Sequence, residues 1–342
     1  MKRLFAILLV TCFLLGGCSK EPAPKEKTRY NATFLSLFDT LTTVVGYAES
    51  KEEFTSRANA VRDKLEVYHK LFDIYNDYEG LVNLKYVNDH AGSAPVIVNS
   101  ELFEFLKDLK TIYSVTNGKV NAAMGSVLNL WHEARNDGVN DPENAYLPDE
   151  NTLKNAYLHA DFDKVILNEA DSSVFFADPL IRLDVGAVAK GWAVQRVAKS
   201  SPSGLLISVG GNVCATGPRD DAGNAWVVGI QSPDDPDQYL HTVYLKKGSI
   251  VTSGDYQRSY TVNGKSYHHI IDPETLYPST LWRSVTVICP DSGYADALST
   301  ALFLMTYEDG LSLLAKYSAE AVWADAQGSM YYSPGFQSHI RT

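Results

Sequence analysis

The feature that most constrains the fold of this chain is a series of short, closely spaced β-type stretches in its second half. Runs rich in Val, Ile, Tyr, Phe and Thr alternate there with turn residues such as the Asn-Gly pair at 263–264. The stretches lie at residues 164–168, 173–177, 205–211, 226–231, 241–253, 258–263 and 284–290, after an earlier one at 42–48. Hairpin-like turns between such stretches favour antiparallel pairing. We therefore predict an α+β fold, a mainly antiparallel sheet with packed helices, in a single domain over residues 30–342.

Helical spacing marks the elements that would cover this sheet. Apolar side chains recur every three or four residues from Lys51 to His69, and again over residues 101–116. Two further helices are predicted at residues 296–307 and 309–317, near the C-terminal end. These segments predict amphipathic helices with one face against the sheet.

Cysteine usage is sparse. Beyond residue 18 the chain contains only Cys214 and Cys289, and no Cys-x-x-Cys or Cys/His zinc spacing is present. We interpret these two residues as small buried hydrophobes that could form at most one disulfide. A domain of this length must then be stabilised by a large hydrophobic core.

The N-terminal end has the pattern of an export signal. Basic residues at positions 2 and 3 precede an apolar run, and Leu15-Gly16-Gly17 stands directly before Cys18. We predict a signal peptide at residues 1–17, a lipidated Cys18, and a flexible charged tether at residues 18–29. The protein would then be an extracytoplasmic bacterial lipoprotein anchored to the membrane. An ordinary secreted protein with an incidental cysteine is the alternative.

The charge of the chain limits its partners. The formal net charge is −11, and removal of residues 1–17 takes away Lys2 and Arg3, which gives −11 − 2 = −13. An acidic protein of this kind is not expected to bind nucleic acid. A polyphosphate ligand would need a local cation, either a divalent metal ion or a few lysines.

A strand-to-helix segment at residues 182–200 offers one candidate site. Asp184 precedes the small residues Gly186 and Ala187, and Lys190 follows where the helix is predicted to begin. An exposed helix N-terminus beside a lysine suits a phosphate group. A helix following a strand, with a surface lysine, is the alternative interpretation.

Three further motifs complete the set of candidates. The glycines at 210, 211 and 217 do not satisfy G-x-G-x-x-G, so a nicotinamide-binding Rossmann site is excluded and a strand, a bend and a strand are predicted. Asp296 and Thr300 lie one helical turn apart and could present hard oxygen ligands to Mg²⁺. His268 and His269 point in opposite directions if extended, so one of them at most faces a site, and Asp272 begins a turn.

Taken together, six ordered motifs resemble the FAD:protein FMN transferases, the ApbE family of flavin transferases. They are LDVGAVAKGWAV, VGGNVCATG, WVVGIQSP, VTSGDYQRSY, YHHIIDPETLYP and YADALSTAL. The resemblance covers nearly all of residues 34–330. It implies a catalytic domain that splits FAD at its pyrophosphate, transfers FMN to a Ser or Thr hydroxyl of an acceptor flavoprotein, and releases AMP with the help of Mg²⁺.

The resemblance also implies roles for individual residues. By motif position, Asp184 and Lys190 contact FAD, and the stretch Lys119, Val120 and Asn121 contacts the flavin. The Mg²⁺ ligands would be the Ala187 carbonyl, Asp296 and Thr300. His269 falls on the family's functional histidine, and either His269 or Asp272 would be the general base.

The chain departs from the family pattern at two positions. Asn121 stands where many relatives have Asp, and Leu276 stands where a glycine is common, so we expect a different backbone geometry at that turn. An Mg²⁺-dependent FAD pyrophosphatase would use the same residues and is one alternative function. A flavin-binding or solute-binding lipoprotein without catalysis is the other, and the predicted anchor and the acidic charge suggest it. For a transferase, the expected acceptors are subunits of membrane electron-transport complexes.

Overall fold

The computed structural model describes residues 26–342, apart from the side chain of Ser36. The predicted signal peptide, Cys18 and most of the predicted tether lie outside the described residues. The first strand begins at Thr28 rather than near Tyr30, so the last residues of the predicted tether belong to the sheet.

An eight-stranded antiparallel sheet forms the centre of the fold, in the order β1-β2-β6-β7-β10-β13-β14-β15. Three smaller antiparallel units accompany it: a β3-β5-β4 sheet and the hairpins β8–β9 and β11–β12. The strand bounds are β1 Thr28–Leu37, β2 Thr40–Ala48, β3 Val96–Ile97, β4 Val165–Asn168, β5 Ser173–Phe176, β6 Leu205–Val209, β7 Asn212–Ala215, β8 Trp226–Gln231, β9 Tyr239–Leu245, β10 Gly248–Gly254, β11 Ser259–Val262, β12 Lys265–His268, β13 Ser284–Cys289, β14 Glu320–Ala324 and β15 Met330–Tyr332.

Eight α-helices occur in the described chain. Their bounds are α1 Lys51–Phe72, α2 Leu84–Asp89, α3 Ser100–Val115, α4 Gly125–Asn140, α5 Glu150–Tyr157, α6 Ala189–Lys199, α7 Ser292–Phe303 and α8 Tyr307–Leu314. Side chains cap several of them; Ser50 accepts from the Glu53 N–H at the start of α1, and Asp291 accepts from the Gly293 N–H at the start of α7. None of the helices between residues 26 and 342 is both long and apolar enough to span a bilayer.

The sheet is covered on both faces. Helices α1, α6 and α7 pack on one face, and the β8–β9 hairpin packs on the other. Strand β13 shows why this works: Val285 and Val287 join the helix-side core, whereas Ile288 joins the hairpin-side core. A smaller core lies between α4, α5 and the β11–β12 hairpin. The predicted α+β class with a mainly antiparallel sheet is confirmed.

Two local predictions need correction. The predicted single strand at 241–253 is two strands, because Gly248 adopts φ 105° and lets the chain pass from the β8–β9 hairpin into the central sheet. The two C-terminal helices exist but begin earlier, at Ser292 and Tyr307. Leu276 has φ 63°, the left-handed conformation that glycine adopts most readily.

Cys214 and Cys289 are buried and unpaired. They lie in the main hydrophobic core, as the interpretation as small buried hydrophobes predicted.

Candidate active site

A cavity of about 680 Å³ lies beside the helix-covered face of the central sheet. Segments that are distant in sequence line it, including the β1–β2 turn, the end of α1, the start of α6, the β6–β7 turn, the end of β10 and the α7 helix. Its volume falls within the range of small-molecule sites. The lining contains most of the residues that were singled out from the sequence, namely Lys119, Val120, Asn121, Asp184, Ala187, Lys190, His269, Asp296 and Thr300.

The centre of the cavity is the junction of α6 and α7. Asp296 is 5% exposed, and its Oδ2 accepts a hydrogen bond of 2.8 Å from the backbone N–H of Gly191. A methyl group at position 191 would collide with the Ser292 carbonyl and the Asp296 side chain, so only glycine allows the two helices to approach this closely. This contact fixes the Asp296 carboxylate at the first turn of α6.

The same contact leaves the Ala187 carbonyl without a donor. In a regular helix the Gly191 N–H would bond to this carbonyl four residues earlier. Here that N–H is used by Asp296, and no other N–H or O–H of residues 26–342 donates to the Ala187 oxygen. Thr300 follows Asp296 by one turn of α7 and also lines the cavity, with its Oγ1 3.4 Å from the Ser253 hydroxyl. A carboxylate, a carbonyl and a hydroxyl therefore line the same cavity.

These residues fit a divalent cation with hard oxygen ligands. No ion pair of residues 26–342 includes Asp296, and burial raises the pKa of its carboxyl, although nearby Lys190 and the Gly191 N–H act in the opposite direction. A buried carboxylate without a counter-ion is costly, and a bound cation would remove that cost. No group of three or more His, Cys, Asp or Glu residues suited to a metal occurs in the described chain. Mg²⁺ needs few protein ligands, because waters and substrate phosphates complete its coordination.

Asp184 and Lys190 flank this oxygen cluster. The Asp184 N–H donates to the Ala122 carbonyl at 2.8 Å, and its Oδ1 accepts from the Gly186 N–H at 2.9 Å, so the loop before α6 is tied to the 119–122 segment. The Lys190 ammonium donates to the Gly186 carbonyl at 3.0 Å. The lysine is thus held on the cavity side of the helix start, where a phosphate group would meet it.

The 119–121 stretch is anchored in three different ways. The Lys119 ammonium lies 3.2 Å from the Asp272 carboxylate and 2.8 Å from that of Glu274. Burial opposes its charge, but the hydrogen bonds to these two carboxylates raise the pKa of Lys119. Val120 is buried, and the Asn121 amide donates to the Ala160 carbonyl at 2.9 Å. Asp272 itself is not part of the cavity lining, and Lys119 and the Glu274 N–H share one of its oxygens.

The two adjacent histidines face opposite ways, as the alternation along a strand predicts. His268 is buried, with its Nε2 2.7 Å from the Ser279 carbonyl and its ring edge-on to Phe303. His269 lines the cavity, and its buried Nδ1 has no hydrogen-bond partner in residues 26–342. Burial, with the positive charges of Arg258 and Lys190, lowers the pKa of His269 to about 3. The imidazole is therefore neutral near pH 7, and its unprotonated nitrogen can accept a hydrogen bond.

Sequence reasoning missed several cavity residues. The Tyr75 hydroxyl lies 3.2 Å from His132 Nδ1, and His132 Nε2 lies 3.9 Å from Asp184. Burial lowers the pKa of His132, although Asp184 raises it. Arg258 and Asn212 also line the cavity. The helical spacing of Leu128 and His132 was the one local signal that could have placed His132 on the cavity side.

Comparison with known proteins identifies relatives of this chain. The sequence model of the ApbE family matches residues 33–323. An FAD:protein FMN transferase of Treponema pallidum (strain Nichols) is 35% identical over 274 residues, which is 75% of this chain and 74% of that protein. Another, from Klebsiella pneumoniae (strain 342), is 30% identical over 258 residues, covering 72% of this chain and 77% of that protein.

Solved structures give the same result at the level of the fold. The ApbE protein of Thermotoga maritima superposes with a TM-score of 0.81 at 27% identity, covering 92% of this chain and 100% of that one. The flavin transferase ApbE of Vibrio cholerae superposes with a TM-score of 0.76 at 22% identity, covering 92% and 99%. On the extent of the family match and the identity to these relatives, the chain belongs to the ApbE family.

Proposed function

We propose that this protein transfers FMN from FAD to a Ser or Thr hydroxyl of an acceptor protein, releases AMP, and depends on Mg²⁺. The proposal depends on one observation. Three oxygen ligands that suit a cation line the same cavity as a neutral histidine. Ala187, Asp296 and Thr300 supply the oxygens, and His269 supplies the proton acceptor. The names of the relatives support the same reaction.

Each residue has a task that its surroundings permit. The acceptor hydroxyl attacks the phosphorus of the FMN moiety, the bond from that phosphorus to the bridging oxygen breaks, and AMP leaves with that oxygen. The hydroxyl proton passes to the neutral imidazole of His269. Lys190, at the start of α6, binds a non-bridging phosphate oxygen and offsets its charge. Bound Mg²⁺ would neutralise charge on the diphosphate and orient it.

His269 is the better of the two predicted bases. Asp272 already accepts hydrogen bonds from Lys119 and from the Glu274 N–H, and it lies outside the cavity lining. To act as a base it would have to give up its ion pair. We propose that Asp272 instead positions Lys119 beside the flavin, while Asp184 and the 119–121 stretch line the flavin-binding side of the cavity.

The test is incubation of the protein with FAD, Mg²⁺ and a candidate acceptor subunit. Covalent flavin fluorescence on a denaturing gel, with the mass of FMN added to one acceptor peptide, would support transfer. Free FMN and AMP without labelled acceptor would indicate a pyrophosphatase, and FAD retention without AMP a flavin-binding protein. His269→Gln should abolish labelling, whereas His90→Gln, whose ring stacks on Tyr86 outside the cavity, should label at the parental rate.

We further propose that the protein is exported, anchored to the membrane through lipidated Cys18, and acts on subunits of membrane electron-transport complexes. The support is the sequence of residues 1–29, in which an apolar run and two glycines precede Cys18. In cells fed a radiolabelled fatty acid, the protein should incorporate label and sediment with membranes. Cys18→Ser should do neither; label retained in that variant would refute the anchor.

A further inference from the structure

Asn212 is a cavity residue with an unexplained polar atom. It is the first residue of β7, it lines the cavity, and it is 2% exposed. Its Oδ1 is buried and has no hydrogen-bond partner among residues 26–342. Buried amide oxygens without a partner are rare, because the lost hydration is not replaced. An oxygen of this kind beside a cavity points to a ligand.

The β6–β7 hairpin sets the position of Asn212. Gly210 and Gly211 have φ values of 55° and 90°, and they form a two-residue turn between the paired residues Val209 and Asn212. The backbone of Asn212 is therefore fixed on both sides, by the turn and by the strand pairing. Its side chain is delivered to the cavity by rigid structure rather than by a mobile loop.

The neighbouring carboxylate sets the orientation of the amide. The Asn212 side chain lies beside Asp296, where it acts to lower the pKa of that carboxyl. A carboxylate can only accept, so the amide nitrogen must be the group that faces Asp296. The amide oxygen is then turned away from Asp296, and it is this oxygen that lacks a partner.

The groups around this oxygen favour a cation as its partner. The Asp296 carboxylate, the unpaired Ala187 carbonyl and the Thr300 hydroxyl line the same cavity. All of them can offer oxygen lone pairs, and amide oxygens are ordinary ligands of hard divalent cations. We propose that Asn212 is a further ligand of the divalent cation, contributing Oδ1 to the oxygen set formed by Ala187, Asp296 and Thr300. This inference rests on the proposed metal dependence.

The test measures metal binding by the full chain without FAD or acceptor. Mn²⁺ is the probe, and free Mn²⁺ is counted by electron paramagnetic resonance during titration. Asn212→Ala should raise the Kd for Mn²⁺ by about 10-fold or more. Asn212→Asp, which keeps the shape and adds a charge, should lower the Kd. The control is Asn83→Ala, which removes an equally buried amide whose hydrogen bonds go to Asn76 and Tyr86 away from the metal ligands, and it should keep the parental Kd.

The outcomes separate this inference from the proposed function. If Asn212→Ala folds, an unchanged Kd for Mn²⁺ would overturn the inference. If it does not fold, an unchanged or higher Kd in Asn212→Asp would overturn it. Acceptor labelling is measured separately on the parent protein. If the parent does not label the acceptor but Mn²⁺ binding follows the predicted order, the proposed reaction is wrong and the ligand assignment stands. If the parent labels the acceptor but Mn²⁺ binding does not follow that order, only the ligand assignment is refuted.

Discussion

The partly buried imidazole of His269, whose Nδ1 has no hydrogen-bond partner among residues 26–342, should make the stability of the protein depend on pH in a way that one substitution removes. Its pKa is about 3 in the folded protein against an ordinary value of 6.5. The unfolded chain therefore binds this proton first as the pH falls, and protonation favours unfolding. The stability associated with neutral His269 is fully present above pH 6.5 and is lost progressively as the pH falls toward 3.

The size of the effect follows from the two pKa values. At pH 5.0 the unfolded imidazole is almost fully protonated and the folded one is almost fully neutral, which corresponds to about 2 kcal/mol of lost stability. In the limit below pH 3 the loss would approach about 5 kcal/mol, since each pKa unit is worth about 1.4 kcal/mol. Burial is the largest cause of this low pKa, and the charges of Arg258, Lys190 and Arg135 and the neighbouring titratable ring of His268 act in the same direction.

The assay is urea unfolding followed by tryptophan fluorescence at pH 7.5 and pH 5.0. Between these two pH values, the parent should lose about 2 kcal/mol more than His269→Gln. Other partly buried histidines, such as His132 and His241, titrate in both proteins and cancel in the comparison. His90→Gln should retain the full parental loss. An equal loss in the parent and His269→Gln would refute the low pKa of the His269 imidazole.

Three further substitutions test the geometry of the site. Asp296→Asn preserves an acceptor for the Gly191 N–H but removes the charge, so AMP release measured by chromatography should fall by more than about 100-fold; near-parental release would contradict the metal assignment. Gly191→Ala places a methyl group against Ser292 and Asp296, and it should lower the free energy of unfolding by about 1–3 kcal/mol. An unchanged urea midpoint would show that α6 and α7 can accommodate the methyl group. In calorimetry, Leu276→Ala should be less stable than Leu276→Gly. Both variants lose the buried side chain, but only glycine removes the cost of about 1–2 kcal/mol of the left-handed backbone conformation. The reverse order would show that the backbone at φ 63° is not strained.

The spacing of apolar residues predicted the elements in which buried side chains recur at regular positions along the sequence. The α1 helix was predicted because Phe54, Ala58, Val61 and Leu65 form one apolar stripe, and these side chains are all buried. The α4 helix was not predicted, although Val127, Trp131 and Ala134 follow the same spacing, because Asn, His and Asp residues and an internal glycine dilute the pattern. The order of strands in the sheet was out of reach, because it depends on pairing between distant residues.

The site shows the same division between local and distant information. That Asp296 and Thr300 share one face of a helix follows from their spacing alone, and the structure places both in the cavity. The hydrogen bond from Gly191 to Asp296 joins residues 105 positions apart, and nothing local predicts it. Asn212 belonged to a motif for which a strand, a bend and a strand were predicted and no metal ligand, because the lack of a partner for its oxygen appears only once its neighbours are known.

The electrostatics of the cavity explain why a cation and a histidine belong in the same site. Burial favours the neutral form of both ionisable groups, so it raises the pKa of Asp296 and lowers the pKa of His269. The proposed reaction needs a neutral histidine to take a proton, but it needs a charged carboxylate to hold the diphosphate's counter-ion. A divalent cation among the oxygens of Ala187, Asp296 and Thr300 would reverse the effect of burial on the carboxyl, and its positive charge would keep the imidazole neutral. One bound ion would thus give the acid and the base of this cavity the protonation states that phosphoryl transfer requires.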